Sequence, residues 1–478
     1  APASSTKMLA AAAVVVLLIL VSFLFYTQKG KEVGEEKDPY LQAYAMLHAG
    51  RHEEARRGFE GLPQNDPRRF EGLAAVFYEL GDSKTAFDMA DKTLESASYN
   101  MYAGVLKGHI LFSQGKLDEA MKEYAAAADR KVSLRWQKAE AYNGMGRICS
   151  SKGDMQKAAE YYGKAAESNP ASSEIFTNQA FALQKAGNAP GAMNSFQKAA
   201  QINQTDQFAA VMLADAVKKQ KAQEDTSRQE RIDKLVSELA ASFTAGGAAK
   251  AAADEWTSKP VTISFFNFAG KGAPSQREGE DDYFQLKVSS LLQESGRVQI
   301  VERELLDKLL AELKLSSTNL VDPATSLKLG KILAARVIAT GNIIRYNQDI
   351  QVSIRLTDTE TTALKGAVTE SEKEIEKLAE SVTKKILDKV KTGYPLRGTV
   401  QSLEGSKVLL TIGAGAGVQD GMEFKVLEEV RREKGAPPLY RPVGTIAIAS
   451  VSQDAAFATV REQSESFKAG FKVEQIVR

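Results

Sequence analysis

The chain has one cysteine, three histidines and two tryptophans in 478 residues. A single thiol, Cys149, excludes an intrachain disulfide and a Cys-rich zinc site. Three histidines leave little material for metal ligation or acid–base chemistry. Neither charge sign is in excess: 62 Lys and Arg face 61 Asp and Glu, a net charge of +1. A nucleic-acid protein needs a basic surplus to displace counterions from phosphates, so the balance argues against nucleic acid as a partner. No set of nucleophile, base and orienting group is visible, and the carboxylates sit among lysines as on solvated faces. These absences lean away from an enzyme, and neither cofactor nor metal is expected. What remains is ordinary globular material, 43% hydrophobic and 26% charged, long enough for about three domains.

One apolar run stands out, Met8–Tyr26, without a charge. As a helix it measures about 28 Å, close to the ~30 Å hydrocarbon core of a bilayer. Phe23, Phe25 and Tyr26 fall at one end, where aromatic rings prefer the interface. A cleaved signal peptide is the competing reading, but Thr27-Gln28-Lys29-Gly30 offers no small-x-small cleavage site. No cysteine follows the run, which excludes a lipoprotein anchor. The expectation is therefore a single transmembrane helix in residues 1–29, then a charged tether, 30–38. Lys7 on one side and Lys29 and Lys31 on the other leave its orientation open.

Residues 39–204 repeat themselves. Five glycines are each followed five residues later by alanine: Gly50/Ala55, Gly81/Ala86, Gly115/Ala120, Gly153/Ala158 and Gly187/Ala192. An aromatic stands four residues beyond the alanine in four units: Phe59, Tyr124, Tyr162 and Phe196. Ala127, Ala165 or Ala199 follows in the last three. Glycine permits a tight turn between two helices, the alanine lets them approach, and the aromatic fills the space between neighbouring pairs. Such units bury their faces only by stacking. The second unit has Ala90 for the aromatic, and an irregular pair is expected there. His48 and His52 flank Gly50 and read as turn residues rather than metal ligands.

This pattern resembles the tetratricopeptide repeat (TPR), whose period is 34 residues. The resemblance implies a concave groove, lined by the first helix of each pair, that takes protein partners. By position it places Tyr102, His109 and Phe112 in the groove, then Asn143 and Arg147, then Thr177, Phe181 and Gln184. Asn143 and Arg147 suit a carboxylate or backbone amides. For any single one of these, a solvated helix residue is the commoner reading. Residues 205–240 read as a polar-faced capping helix, and the Ala/Gly-rich stretch 241–259 as a linker.

Strand patterning starts at Pro260. Residues 260–392 read as an α/β domain: a strand at Val261–Phe268, helices, a short strand at Val298–Val301, three closely alternating strands over 335–370, and a final amphipathic helix. The segments VERELLDKLLAEL (301–313), LGKILAARVIATGNI (329–343) and VSIRLTDTETTAL (352–364) resemble the domain of the curli-secretion channel protein CsgG and its relatives. Those are bacterial cell-envelope proteins, some of which form rings. Val301-Glu302-Arg303 matches the family's strand-to-helix turn and Gly341 its strand-end glycine. The family's lipid-bearing cysteine and long barrel-forming hairpins have no counterpart here, so no pore is expected. Gly270-Lys271-Gly272 lacks the other P-loop residues and reads as a flexible surface loop.

Residues 394–478 read as a small all-β domain of six short strands, a barrel or a sandwich, with Gly413, Gly415, Gly417 and Gly421 as turn residues. Its glycine placement resembles the C-terminal β module of the flagellar envelope protein FlgT. The whole reads as multidomain: transmembrane helix, all-α TPR solenoid, α/β CsgG-like domain and all-β module. The function expected is a non-catalytic, membrane-anchored periplasmic scaffold, binding proteins through its groove and able to form a homo-oligomeric ring. It would serve secretion, surface-fibre or flagellar envelope machinery. The alternative is a cytoplasmic-side adaptor that recruits a peptide or enzyme to the membrane.

Overall fold

The computed structural model describes residues 38–130, 134–244, 256–272, 277–315, 323–346, 349–405, 407–431 and 438–477. The chain divides into two compact units between Ile110 and Leu111.

The first unit holds α1 (Pro39–His48), α2 (His52–Glu60), α3 (Pro67–Glu79), α4 (Ser83–Ser96) and most of α5 (Met101–Ser113). Asp38, Asp66 and Asp82 cap α1, α3 and α4 by accepting bonds from the N–H groups of Tyr40, Arg68 and Thr85. Such caps satisfy donors that a helix start leaves open. His48 is the last residue of α1 and His52 the first of α2, on either side of the turn at Gly50. A buried carboxylate, Glu71 of α3, needs partners to stay in the interior. The Tyr40 hydroxyl donates to it at 2.6 Å and the Tyr44 hydroxyl at 3.2 Å, and the Asn100 amide also donates. Burial still pushes the Glu71 carboxyl up, against those bonds.

The second unit continues with α6 (Leu117–Ala128), α7 (Arg135–Ser151), α8 (Met155–Ser168), α9 (Ser173–Lys185), α10 (Ala189–Ile202), α11 (Gln207–Glu224) and α12 (Thr226–Thr244). The five predicted turn glycines, 50, 81, 115, 153 and 187, all have φ between 72° and 84°, left-handed backbone that glycine enters without a Cβ penalty. The five alanines after them are buried, as are Phe59, Tyr124, Tyr162 and Phe196. The expected irregularity of the second pair is not found, because Ala90 is itself fully buried in a regular α4. Tyr124 and Tyr162 find their space on glycines of α7, one from the helix before it and one from the helix after it. A Cβ on Gly144 would lie 2.4 Å from the Tyr124 ring, and one on Gly146 2.6 Å from Tyr162.

A five-stranded sheet follows, ordered β2-β1-β3-β4-β5. Its strands are β1 (Val261–Gly272), β2 (Val298–Ile300), β3 (Val337–Tyr346), β4 (Asp349–Asp358) and β5 (Leu364–Glu372), and its helices α13 (Glu280–Glu294), α14 (Arg303–Glu312), α15 (Pro323–Ile332) and α16 (Ile375–Gly393). β1 runs parallel to β2 and β3, and β3, β4 and β5 form an antiparallel meander. Alternation sorts the two faces. Ile263, Phe265, Val337, Ala339, Val352 and Ile354 join α13 and α16, whereas Phe266 and Ile338 join α12, α14 and α15. Gly270, Lys271 and Gly272 are not a loop: β1 runs through them, paired with Ile343, Ile344 and Arg345.

The C-terminal strands β6 (Arg397–Glu404), β7 (Lys407–Leu410), β8 (Glu423–Arg431), β9 (Leu439–Val451), β10 (Ala456–Gln463) and β11 (Lys472–Gln475) close into a barrel, which leaves no unpaired edge. Arg297, at the start of β2, lies against it. Its Nη2 donates to the Tyr394 carbonyl at 2.7 Å, and burial lowers its guanidinium to about 10. Between β4 and β5, buried Asp358 accepts from Tyr394 Oη at 2.7 Å and Thr361 N at 2.8 Å. Burial alone would raise that carboxyl, but these bonds and Arg336 bring it to about 2.

Two further expectations change. The fold class is corrected: among the described residues no helix is long and apolar enough to cross a membrane, so the architecture is a helical solenoid, a mixed sheet with helices, and a barrel. The expected span Met8–Tyr26 lies outside the described residues, as do most of the tether and residues 245–255. The segment 205–240 is two helices rather than one cap. Ile232, Val236 and Ala240 of α12 pack on the sheet with Phe266, Leu306 and Leu309.

The packing on glycine is testable. Gly144→Ala drives a methyl into a fully buried tyrosine ring and should cost about 1–3 kcal/mol. Gly163→Ala, on α8 with only Gln179 Nε2 near at 3.4 Å, should stabilise by about 0.5–1 kcal/mol. Thermal melts that shift in the same direction for both would refute the packing scheme.

Candidate functional site

The first helices of the repeat pairs carry the eight residues expected in the groove. In the first unit, the Tyr102 ring lies 5.9 Å from that of Tyr44. His109 is buried and stacks on Tyr78 with centroids 5.7 Å apart. In the second unit, the Arg147 guanidinium lies over the Phe112 ring at 4.7 Å, a cation–π contact. Asn143, Thr177 and Phe181 are buried beside it on α7 and α9. Asn143 Nδ2 donates to Glu174 at 3.4 Å, and Asn143 Oδ1 accepts from Asn178 Nδ2 at 3.0 Å.

This face of α7, α8 and α9 is occupied by the chain's own residues 277–279, which lead into α13. Arg277 donates from Nε to Thr177 Oγ1 at 3.0 Å. Its Nη1 and Nη2 donate to Asp206 Oδ1 and Oδ2 at 3.1 and 2.6 Å, the paired-fork geometry that makes Arg–carboxylate contacts strong. The same guanidinium lies 4.0 Å over Phe208. Glu278 is held at both ends: its backbone N–H donates to Asn178 Oδ1 at 2.9 Å, and its carboxylate accepts from Ser150 Oγ at 2.9 Å and Tyr162 Oη at 2.7 Å. Gly279 has φ 76°, and a Cβ there would lie 2.6 Å from the Phe181 ring. Both the turn and the contact require glycine.

Of the predicted residues, Thr177 and Phe181 touch this segment directly. Asn143 acts through Asn178, whose amide it fixes. Arg147 contributes positive charge near Glu278. Gln184 takes no part in these bonds, and Tyr102 and His109 belong to the other unit. Sequence reasoning missed Ser150, Asn178, Asp206 and the Tyr162 hydroxyl. Ser150 and Asn178 lie three residues and one residue from predicted positions, and Tyr162 had been read only as packing. No signal in the sequence marked Arg277–Gly279 as their ligand.

Electrostatics follow from burial. Burial pushes the Glu278 carboxyl up, and the bonds from Tyr162 and Ser150 pull against it. Burial likewise raises the Tyr162 hydroxyl, with the Glu278 charge adding to it. For Asp206, burial would raise the carboxyl, but Arg277 and Ser173 donate to it and the result lies below the usual value. Beside this contact opens a cleft of about 570 Å³ lined by Glu174, Asp206, Glu374 and Glu376 together with Arg277. Among the described residues no group of three or more His, Cys, Asp or Glu side chains could hold a metal ion.

Comparison with known proteins matches two parts of the chain. The family profile described as curli production assembly/transport component CsgG matches residues 285–353, from α13 into β4. The tetratricopeptide-repeat profile matches residues 105–131 and 139–172. The helix pairs are thus TPR repeats, followed by a CsgG-like segment; neither match reaches the barrel. A TPR protein of Thermus thermophilus is 21% identical over 38% of this chain and 98% of its own, with a TM-score of 0.32. PilF of Pseudomonas aeruginosa is 19% identical over 41% and 90%, with a TM-score of 0.32. YrrB, described as a TPR protein with an unusual peptide-binding site, is 21% identical over 41% and 97%, with a TM-score of 0.27. A search of curated proteins finds no match.

The Arg277–Asp206 contact predicts a coupling on the order of 1–2 kcal/mol in a double-mutant cycle of Arg277→Gln and Asp206→Asn. Asp206 has a depressed value in the folded chain, so its contribution is present above the unfolded value of 3.8 and is lost as pH falls below it. Denaturant melts should show Asp206→Asn closing on wild type in that acid range. A coupling of zero would show that the pair does not hold in solution.

Proposed function

We propose that the chain is a non-catalytic interaction scaffold of the bacterial cell envelope, which binds protein partners through the concave face of its repeats. The observation that carries this reading is the cradle on α7–α9. Its side chains hold the turn at 277–279 by one backbone amide, one carboxylate and one guanidinium, groups that a peptide can present. The CsgG match over 285–353 supports the envelope assignment. In this reading the concave residues Tyr102, His109, Phe112, Asn143, Arg147, Thr177, Phe181 and Gln184 form the partner-binding set. The CsgG-like segment and the barrel form the assembly end, in secretion, surface-fibre or flagellar envelope machinery, where ring formation between copies is the natural mode. A head-to-tail contact that closes under cyclic symmetry would build such a ring.

Purification of the tagged full chain from crosslinked cell envelopes tests this. Specific partners should be recovered with wild type and fall roughly thirtyfold with Tyr102→Ala, Arg147→Ala, since truncating a binding hot spot costs about 2 kcal/mol. The variant must melt at the wild-type temperature. Undiminished recovery by a folded variant would overturn the groove reading.

A further inference from the structure

The cradle on α7–α9 is filled in cis, and its occupant shows which chemistry it selects. We propose that Arg277-Glu278-Gly279 is a built-in competitor, and that the partner displacing it carries a turn in which an arginine is followed directly by a glutamate and a glycine. This rests on the scaffold reading above and adds to it the ligand class and its regulation.

Three observations support it. First, the three residues are read individually. The Arg277 guanidinium meets a matching carboxylate, a hydroxyl and an aromatic face, while the Glu278 carboxylate meets two hydroxyl donors. Interchanging the two side chains would set a carboxylate against Asp206 and Glu174 and a guanidinium beside Arg147, so the order is specified. Second, the hold is mostly polar. It meets the apolar floor at two places, the Arg277 guanidinium on Phe208 and Gly279 on Phe181, and polar contacts exchange for equivalent ones at little net cost. Third, the main chain is recognised through one side chain, Asn178, oriented by Asn143. That leaves the remaining backbone contacts to whatever segment lies there. Flanking the segment, Arg345 donates from Nε to Glu280 at 2.9 Å and Lys185 pairs with Asp282 at 3.6 Å. These bonds hold α13 in place, so release involves the side chains of Arg277 and Glu278 while Gly279, whose carbonyl accepts from Tyr283 N at 2.8 Å, serves as the hinge at the helix start.

The experiment uses the full chain and a fluorescein-labelled synthetic peptide of residues 275–283, Ser-Gln-Arg-Glu-Gly-Glu-Asp-Asp-Tyr. Fluorescence anisotropy is read on wild type and on Arg277→Ala, Glu278→Ala, whose cradle is empty. The peptide should bind the variant roughly tenfold or more tightly than wild type, the ratio expected when about 90% of the wild-type cradle is closed. Exchanging Arg and Glu in the peptide should abolish binding, as should adding Asn178→Ala to the variant. Equal affinity for wild type and variant overturns the competitor while leaving the groove a peptide reader. No binding to a folded, empty cradle, or equal binding of the exchanged peptide, overturns the ligand class and weakens the scaffold reading with it. If the double variant fails to fold, Arg277→Gln alone serves, with a smaller gain expected and no gain overturning the proposal.

Discussion

A stack of helix pairs ends on a hydrophobic face that no further repeat covers, and something else must cover it. Here the sheet does. Phe181, Phe196, Phe208 and Met212 of the last helices share one core with Ile263, Phe265, Tyr283 and Val288. The Phe208 and Tyr283 rings stack 4.8 Å apart. This single burial fixes where β1, α13 and α16 lie, and hence which way the segment between β1 and α13 must travel. It enters the concave face because the core below it leaves α13 no other starting point.

Once the segment is there, its charges have to be matched. A buried guanidinium or carboxylate without a partner costs several kcal/mol, so the residues opposite it are constrained as tightly as the segment. Asp206 does double duty, capping α11 through the Ala209 N–H while gripping Arg277. Tyr162 packs its ring on Gly146 and turns its hydroxyl to Glu278. Residues that fold the solenoid are in this way also residues that hold the 277–279 segment, and the two roles are inseparable at these positions.

What the sequence revealed divides along the range of the interactions. The turn glycines, the alanines five residues on and the aromatics four further are local, and each is legible because one helix turn determines its neighbour. The six C-terminal strands were legible for the same reason, and left a barrel and a sandwich open; pairings such as β10 with β7 and β11 with β6 decide for the barrel. Residues 205–240 misled because α12 has a polar face and a sparse apolar one: Ile232, Val236 and Ala240 recur every four residues, which suits a cap as well as a sheet-covering helix. Gly270-Lys271-Gly272 read as a loop because glycines depress strand propensity, whereas pairing with β3 keeps that stretch extended. The groove positions came from the repeat register alone. Their occupant could not, since Arg277 lies 100 residues from Thr177 and only the tertiary fold joins them.

The composition of the contact also bears on its role. Had the sheet been fastened to the solenoid for stability alone, apolar residues at 277 and 278 would serve better, because buried ion pairs often stabilise less than well-packed hydrophobes of similar volume. The raised carboxyl of Glu278 is a sign of that cost: burial works against its charge and the hydroxyls of Tyr162 and Ser150 only partly offset it. The apolar fastening already exists a few ångströms away, in the Phe208–Tyr283 stack and the core around it. A polar latch laid over a sufficient hydrophobic joint adds little to cohesion and much to selectivity. Its members can leave together for water with the Phe208–Tyr283 stack intact, uncovering the core only where Arg277 and Gly279 lie on Phe208 and Phe181, and that limited exposure is the physical condition for a contact that opens.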